Sequence, residues 1–316
     1  MNENNMIKKS TINFNYTTIN PTSNQYKELH NSLFKGANIS KDWINWYHKD
    51  VPSSLGLETI TYAAFDGEIL VGIWSVEPKL MNINGEIIKI GRCFSVGIHE
   101  NYRRLGLFVT LSEFAIKSEK NRSEFDYIIG FPQKGRSVIG GHLKAGWEII
   151  HEISIYSADK FEYENYPLSN VEIISDFNLI NFENNLEGSL IESPQYRNIR
   201  WLNHPDIHYI GLKYNNSFII LKTYSNFCHI LDMNGEKKDI VHLLKTVKNL
   251  ALRHGWVEVN LWCGNNEFFK DEIIATGFKK GANFGLPISV IAVKINESKP
   301  LLLNHCHIQM GVEEGY

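Results

Sequence analysis

Polar and apolar positions alternate in several short segments of the first part of the chain. Two of them, 59–65 and 69–76, flank Asp66-Gly67, and this arrangement predicts a β-hairpin. The segment 87–98 is predicted as a third strand. Residues 125–131 are almost entirely apolar, which is typical of a strand in the middle of a sheet. The first part of the chain therefore builds much of a β-sheet.

Helices alternate with these strands. A period of 3.6 residues places apolar side chains on one face from Tyr26 onward and again from Leu107 onward. A third helix is predicted after Arg136, ending at Gly146, and a further strand over 147–157. The order α-β-β-β-α-β-α-β predicts an α/β (α+β) fold, in which a mixed, mainly antiparallel sheet is flanked by helices.

The second part of the chain repeats this pattern more weakly. Strands are predicted on both sides of Asn215-Asn216, and an amphipathic helix spans 240–251. A later helix ends at Gly277-Phe278, the counterpart of Gly146-Trp147. The sequence thus predicts two copies of one fold in tandem.

The two copies differ in length. Residues 158–170 are acidic, aromatic and without a clear period, so we predict a linker there between a first domain, 1–157, and a second, 171–316. The second copy is shorter, and the stretch that it lacks corresponds to the one around 102–107. The second domain is therefore predicted to have the scaffold without this loop.

The loop is the most informative segment for function. Arg103-x-x-Gly106 lies between an apolar strand and an amphipathic helix. Such a loop presents backbone N–H groups and the positive end of the helix dipole to one point, which is a site for a phosphate or pyrophosphate. Gly106 permits a close approach of the backbone, and the arginines add positive charge. The pattern is neither a Walker A motif nor a dinucleotide GxGxxG motif.

Val96-x-Ile98 followed by 101–108 resembles motif A of the GNAT superfamily of acyl-CoA N-acyltransferases. The stretch His142-x-Lys144-x-Gly146-Trp147 resembles the second signature of that family. Two positions of motif A depart from the usual pattern, because Phe108 stands where the family has Gly or Ala and Glu100 where it has Pro. In the second signature, His142 takes the place of the usual Tyr. The resemblance implies two tandem GNAT-like domains, the first of them active with acyl-CoA as co-substrate.

The resemblance also implies roles for single residues. The loop would hold the CoA pyrophosphate and the strand backbone the pantetheine arm, so the cofactor-binding set is Val96, Ile98, Arg103, Arg104, Leu105, Gly106, Leu107, Phe108 and Ser137. The backbone N–H of Val96 is expected to stabilise the oxyanion. His142 is expected to act as general acid for the leaving thiolate, with a packed helix histidine as the alternative. Cys93, close to this site, is interpreted as a buried thiol and not as a nucleophile.

The tandem arrangement, with Trp46-Tyr47 and Arg200-Trp201-x-x-His204-Pro205, resembles bacterial enzymes of surface-polysaccharide and lipopolysaccharide pathways. The resemblance implies transfer of an acetyl or larger acyl group, such as 3-hydroxybutyryl, to the amine of a dTDP-linked amino-dideoxy sugar. The expected substrate-binding residues are Arg92, Phe94, Ser95, Trp46, Arg200, Trp201 and His204. The alternatives are core packing for the aromatic residues and helix capping for Arg200 and His204.

Three other functions remain open at this point. The acceptor amine could belong to a peptide, a lysine side chain or an aminoglycoside. The chain could also resemble tRNA-dependent peptidyl transferases, but these lack the CoA loop and have a more basic surface. The third possibility is a non-catalytic protein that binds CoA.

Composition agrees with a folded, water-soluble chain. The 316 residues are 43% hydrophobic and 21% charged, and the formal net charge is −3, which argues against a nucleic-acid partner. We expect no membrane partner. A cytoplasmic location is expected because residues 1–10 lack the apolar core of a signal peptide. We also expect a monomer or homodimer. His305-Cys306-His307 place neighbouring ligands on opposite sides of the chain, so no metal site is expected.

Overall fold

The structure is a computed structural model. It describes residues 13–34, 38–83, 85–162, 170–180, 189–264, 267–281, 286–298 and 308–312. Residues 1–10 and 305–307, discussed above, lie outside these ranges.

The strands follow the predicted order in the first half of the chain. Those of the first half are β1 (Asn15–Thr18), β2 (Ile60–Asp66), β3 (Ile69–Ile83), β4 (Glu86–Ile98), β5 (Tyr127–Gly130) and β6 (Glu148–Ala158). Those of the second half are β7 (Glu172–Ile173), β8 (Ile210–Tyr214), β9 (Ser217–Tyr224), β10 (Phe227–Asn234), β11 (Glu258–Cys263), β12 (Lys279–Lys280) and β13 (Ile288–Lys294).

The helices connect these strands and cover the sheet. They are α1 (Asn24–Leu33), α2 (Lys41–Asn45), α3 (Val51–Ser53), α4 (Leu107–Arg122), α5 (Ser137–Lys144), α6 (Pro194–Arg197), α7 (Lys237–His254) and α8 (Lys270–Ala275). Two π-helical turns cover Trp46–Asp50 and Asn198–Leu202, and short 3₁₀ turns cover Glu100–Tyr102, Phe177–Leu179 and Met310–Val312. The predicted α/β class, with a mainly antiparallel sheet flanked by helices, is confirmed.

All strands belong to one continuous sheet, in the order β1-β2-β3-β4-β5-β13-β6-β11-β10-β9-β8-β7, with β12 also paired to β6. The last strand, β13, lies between β5 and β6, where Ile291 pairs with Gly130 and Val290 with His151. The far end of β6 in turn pairs with β11 of the second half. Each half therefore completes its part of the sheet with a strand from the other half.

The core of the first half has two sides. Helix α4 covers one face of the sheet, where Leu111 packs with Trp74 and Ile128. Helices α1 and α2 cover the other face, where Tyr26 and Trp43 pack in a second cluster of buried apolar side chains. In the second half the predicted apolar face of α7 is confirmed, because Ile240, Leu243, Leu244, Val247 and Ala251 are all fully buried. The strand ends between these layers are where a site has room to form.

The internal repeat is visible in local structure as well. Ser40 accepts a hydrogen bond from the Trp43 N–H and caps α2, which passes directly into a π-helical turn. Ser193 caps α6 in the same way through the N–H of Tyr196, and α6 also passes into a π-helical turn. The two segments contact each other through the Trp46 indole N–H, which donates to the carbonyl of Ile199 at 2.7 Å. This contact joins the two halves on the α1–α2 side of the sheet.

Candidate functional site

Strands β4 and β5 begin side by side and then separate. They pair in parallel from Ile90–Tyr127 to Arg92–Ile129. Beyond Arg92, the ladder partner of β4 among the described residues is β3 alone. The backbone of β4 after Arg92 therefore has one edge without a partner strand, and a second chain-like molecule can hydrogen-bond there.

A β-bulge lies in the part of β4 that has left β5. Ile73 pairs with Gly97 and Ser75 with Phe94, so Trp74 faces two residues, Ser95 and Val96. Ser95 has a φ of +46°, a left-handed conformation that is uncommon for a residue with a side chain. Bulges of this kind redirect the backbone and often lie beside active sites. The bulge lies at the half-buried Val96, whose N–H we predict to be the oxyanion donor.

The loop after β4 leads to an open helix N-terminus. Arg104 and Gly106 both have left-handed backbone conformations, with φ of +66° and +83°. The N–H groups of Val109 and Thr110 both bond to the carbonyl of Gly106, and no described side chain caps α4. The first amides of α4 and the helix dipole are therefore available to an anion.

Two hydrogen bonds hold the loop before the N-terminus of α4 in place. The Arg103 guanidinium donates from Nε to the carbonyl of Ile98 at 3.1 Å, and the Tyr102 hydroxyl donates to Asp66 Oδ2 at 2.9 Å. Arg104 is exposed beside the helix end. A basic loop that is already ordered loses little conformational entropy when it binds an anion.

The corresponding helix end in the second half has a carboxylate in its first turn. The connection from β10 to α7 is short, and the N–H of Glu236 bonds to Ser217 Oγ at 3.0 Å. The Ser217 hydroxyl donates in turn to Asp239 Oδ2 at 3.2 Å, in the first turn of α7. The buried Asp239 carboxylate opposes an anion at this end of the helix, whereas the exposed Lys237 and Lys238 beside it attract one, so the absence of a pyrophosphate site in the second copy stays a prediction.

The strand edge of the second half is also occupied. Strands β10 and β11 pair as far as Ile230–Leu261. Just beyond, Gln309 accepts a hydrogen bond from the Met233 N–H at 2.6 Å and donates to the Met233 carbonyl at 2.8 Å. A side-chain amide of the chain itself thus takes the backbone bonds that a ligand amide would make there.

His142 lies in α5 beside the loop. Its ring is buried between Phe108 and Trp147, with centroid distances of 5.0 and 4.5 Å. Burial lowers the pKa of His142 to about 4, so the imidazole is neutral at neutral pH. A neutral imidazole is a very weak acid, so this burial favours the alternative of a packed helix histidine, and the general-acid role of His142 stays a prediction.

The remaining loop residues differ in exposure. Leu107 and Ile98 are buried in the core, whereas Leu105 and Phe108 are half-buried and Ser137 is exposed at the start of α5. The bulk of Phe108 is accommodated by Gly141, because a Cβ atom there would lie 2.6 Å from the Phe108 ring. The departure from a small residue at Phe108 is therefore offset within the same site.

The residues predicted to bind the acceptor form two buried groups. Arg92 donates from Nε to Glu77 Oε2 at 2.8 Å and stacks on the ring of Phe94. Farther along, the Arg200 guanidinium stacks on Trp46 and Trp201, and the His204 ring lies 4.2 Å from that of Trp46. The second group joins the halves, and two of its rings also border cavities: Trp46 borders one together with Asn203, and Trp201 borders another together with Asp232. The acceptor-binding role of these residues stays a prediction.

Sequence reasoning missed several polar residues on the α1–α2 side of the sheet. Glu77 forms an ion pair with Lys79 at 2.7 Å in addition to its bond with Arg92, and all three side chains are buried. Two charges spaced two residues apart in an otherwise apolar strand are a usable signal, because they lie on the same face. His30 is also buried on this side, and its helix pattern alone gives no indication of a role.

The described residues contain no candidate metal site and no candidate membrane-spanning helix. Within the described ranges no three His, Cys, Asp or Glu side chains are grouped closely enough to hold a metal ion. The same ranges contain no helix with the length and apolar character that a membrane crossing requires. Cys93 is buried, as expected.

No family model and no curated protein sequence matches the chain. Solved structures match it in fold. A probable N-acyltransferase of unknown function from Enterococcus faecalis is 11% identical, with a TM-score of 0.66 over 90% of this chain and 72% of that one. A GCN5-related N-acetyltransferase from Anabaena variabilis is 12% identical, with a TM-score of 0.62 over 90% and 73%. N-myristoyltransferase from Saccharomyces cerevisiae, solved with bound myristoyl-CoA, is 10% identical, with a TM-score of 0.59 over 89% and 79%. The chain therefore has the fold of GCN5-related N-acetyltransferases.

Proposed function

We propose that this chain is an acyl-CoA-dependent N-acyltransferase whose acyl-CoA site lies in the first half. The observation that supports it most is the contrast between the halves. Among the described residues, no side chain caps the N-terminus of α4 at Gly106, and beyond Arg92 the ladder partner of β4 is β3 alone. In the second half the carboxylate of Asp239 lies in the first turn of α7, and the Gln309 side chain bonds to the backbone of Met233 in β10.

The geometry suggests how the co-substrate would lie. Its pyrophosphate would accept hydrogen bonds from the first amides of α4, with Arg104 beside it. The pantetheine amides would bond to the free edge of β4 at Val96 and Ile98, much as Gln309 bonds to Met233 in the second half. The thioester would then reach the bulge, where the N–H of Val96 can donate to the carbonyl oxygen.

The chemistry is a direct transfer. The nitrogen of a neutral amine attacks the thioester carbon, a C–N bond forms, and the C–S bond breaks to release CoA as the thiolate. Holding amine and thioester together supplies several kcal/mol of the rate enhancement. We place the amine on the α1–α2 side of the sheet, because Phe94 and Trp46, two of the predicted acceptor residues, lie there.

For the acceptor we propose the amine of a dTDP-linked amino-dideoxy sugar. This choice is supported by the sequence resemblance to surface-polysaccharide enzymes. We further propose that residues 1–157 hold acyl-CoA and that 171–316 supply the wall of the acceptor pocket. A cytoplasmic site of action is supported by the buried free thiols of Cys228 and Cys263, which suit a reducing compartment.

A thiol-release assay tests the proposal. Acetyl-CoA and 3-hydroxybutyryl-CoA are each combined with dTDP- and UDP-amino sugars, an aminoglycoside and a lysine peptide. We expect amine-dependent release of CoA, fastest with a dTDP-amino sugar. Faster release with the aminoglycoside or peptide would contradict the sugar assignment alone. Binding of CoA without release in any combination would favour a non-catalytic CoA-binding protein.

A further inference from the structure

Ser95 has an unusual backbone at the centre of the proposed site. It is the bulge residue of β4, adjacent to Val96, and its φ of +46° is one that glycine adopts far more easily. Strain of this kind amounts to about 1–3 kcal/mol and persists mainly at functional sites. A serine at this position keeps a hydroxyl group that glycine would not provide.

The Ser95 hydroxyl points toward helix α1. Its Oγ lies 3.4 Å from Nε2 of His30, and both side chains are buried. Hydrogen bonds that act in catalysis are often long without substrate and shorten in the complex. The pair therefore connects the acceptor side of the bulge with an imidazole in the interior.

The His30 ring is neutral and enclosed by aromatic side chains. Burial lowers the pKa of His30 to about 4, against a smaller opposing effect of the hydrogen bond with Asn31, so the ring is neutral at neutral pH. Three aromatic rings surround it, those of Phe34, Tyr26 and Trp43, with centroids at 4.7, 5.7 and 5.9 Å. Aromatic rings at such distances attract a cation.

A second histidine packs against the same group. His48, in the π-helical turn, shares a hydrogen bond of 3.0 Å between its Nε2 and the Tyr26 hydroxyl. Burial lowers the pKa of His48 to about 3, so it adds no positive charge near His30 at neutral pH. Tyr26 and His48 thus both face His30, and His48 is neutral at neutral pH.

We infer that Ser95 and His30 form a proton relay for the acceptor amine, an inference that rests on the proposed function. As the amine nitrogen bonds to the thioester carbon, it gives a proton to Ser95 Oγ. The Ser95 hydroxyl proton passes at the same time to His30 Nε2. The C–S bond then breaks, and the proton on His30 returns through Ser95 to the leaving thiolate, so that amide and CoA thiol are the products.

Kinetics of four variants test the relay. Ser95→Ala, Ser95→Gly and His30→Gln should each lower kcat about 100-fold or more, with the KM for acyl-CoA unchanged. The double variant Ser95→Ala/His30→Gln should be no slower than either single variant, because each single variant already interrupts the same relay. Ser95→Gly relieves the backbone strain, so its loss of kcat cannot result from a distorted bulge. Ser75→Ala is the matched control, since Ser75 is a buried serine on the neighbouring strand that bonds to Thr61 at 2.9 Å.

The tautomer of His30 supplies a readout that does not depend on turnover. Nitrogen NMR of histidine-labelled protein should show the proton of His30 on Nδ1, and Ser95→Ala should shift the Nε2 resonance. Full kcat in Ser95→Ala and His30→Gln, or multiplicative losses in the double variant, would overturn the relay while leaving the acyltransferase proposal intact. A wild-type protein that releases no CoA contradicts the proposed function and the relay together.

Discussion

The ring of Phe108, in the first turn of α4, packs directly on the backbone of Gly141 in α5. A Cβ atom added at Gly141 would lie 2.6 Å from the Phe108 ring, closer than side chains tolerate. Phe108 also contacts His142, so one aromatic residue joins the start of α4 to α5. The position of the open helix end therefore depends on the absence of a side chain at Gly141.

We accordingly expect Gly141→Ala to displace α4. The variant should lose about 1–3 kcal/mol of stability through overpacking and should raise the KM for acyl-CoA. Gly140→Ala, the neighbouring position in α5, is the control, because a Cβ there meets no described atom within 4 Å. Chemical denaturation and acyl-CoA kinetics of both variants give the comparison. Equal behaviour of the two would show that the Phe108 contact does not position the site.

The loop itself is tested by Gly106→Ala. Its φ of +83° strains any side chain, and the new methyl group would lie at the helix end where we place the pyrophosphate. We expect a loss of about 1 kcal/mol in stability and an increase in the KM for acyl-CoA of about tenfold. Gly56→Ala has the same left-handed strain, with φ of +69°, and should leave that KM unchanged. An unchanged KM in Gly106→Ala would remove the pyrophosphate from this loop.

The second half offers a prediction of the opposite kind. Gln309→Ala removes both hydrogen bonds to Met233 and should lower the free energy of unfolding by about 1–3 kcal/mol. The KM for acyl-CoA should not change, because we place the co-substrate in the first half. Gln195→Ala, at an exposed position of α6, should alter neither quantity. A raised KM in Gln309→Ala, with the KM of Gln195→Ala unchanged, would indicate that acyl-CoA binds in the second half and would contradict the proposed site.

His142 predicts a pH dependence of stability. Burial lowers its pKa in the folded state from 6.5 to about 4, so the unfolded chain binds a proton at higher pH than the folded one. The stability that the neutral, buried His142 contributes is fully present above pH 6.5 and is lost as the pH falls toward 4. Between pH 7 and pH 5, the free energy of unfolding of the wild-type protein should fall by about 2 kcal/mol more than that of His142→Phe. The other buried histidines are common to both proteins, so equal losses would show that His142 is not buried as a neutral group.

The sequence predicts most of the first half because its strands alternate and its helices have regular apolar faces. Four strands of the second half are missed, and two of these, β7 and β12, are only two residues long. The alternation of β10 is broken by a bulge near Leu231, which hides the strand in the pattern. Strand β13 is apolar and short, and its partners β5 and β6 lie more than a hundred residues earlier, so no local signal indicates where it pairs.

The candidate site divides in the same way. The loop with Gly106 is predictable because a glycine and basic residues before a helix have a local physical meaning. The pairing of His30 with Ser95 spans 65 residues and depends on a bulge that the sequence does not reveal. The packing of Arg200 against Trp46 is likewise tertiary, so the sequence does not reveal this contact between the halves, and the acceptor-binding role of both residues stays a prediction.

Calorimetric titration with CoA tests most directly whether the loop of the first half is the acyl-CoA site. Wild-type protein should bind one CoA per chain, and Gly106→Pro, shown by circular dichroism to be folded, should bind none. Two CoA molecules per chain, or binding that survives in Gly106→Pro, would contradict the assignment of the site to the N-terminus of α4.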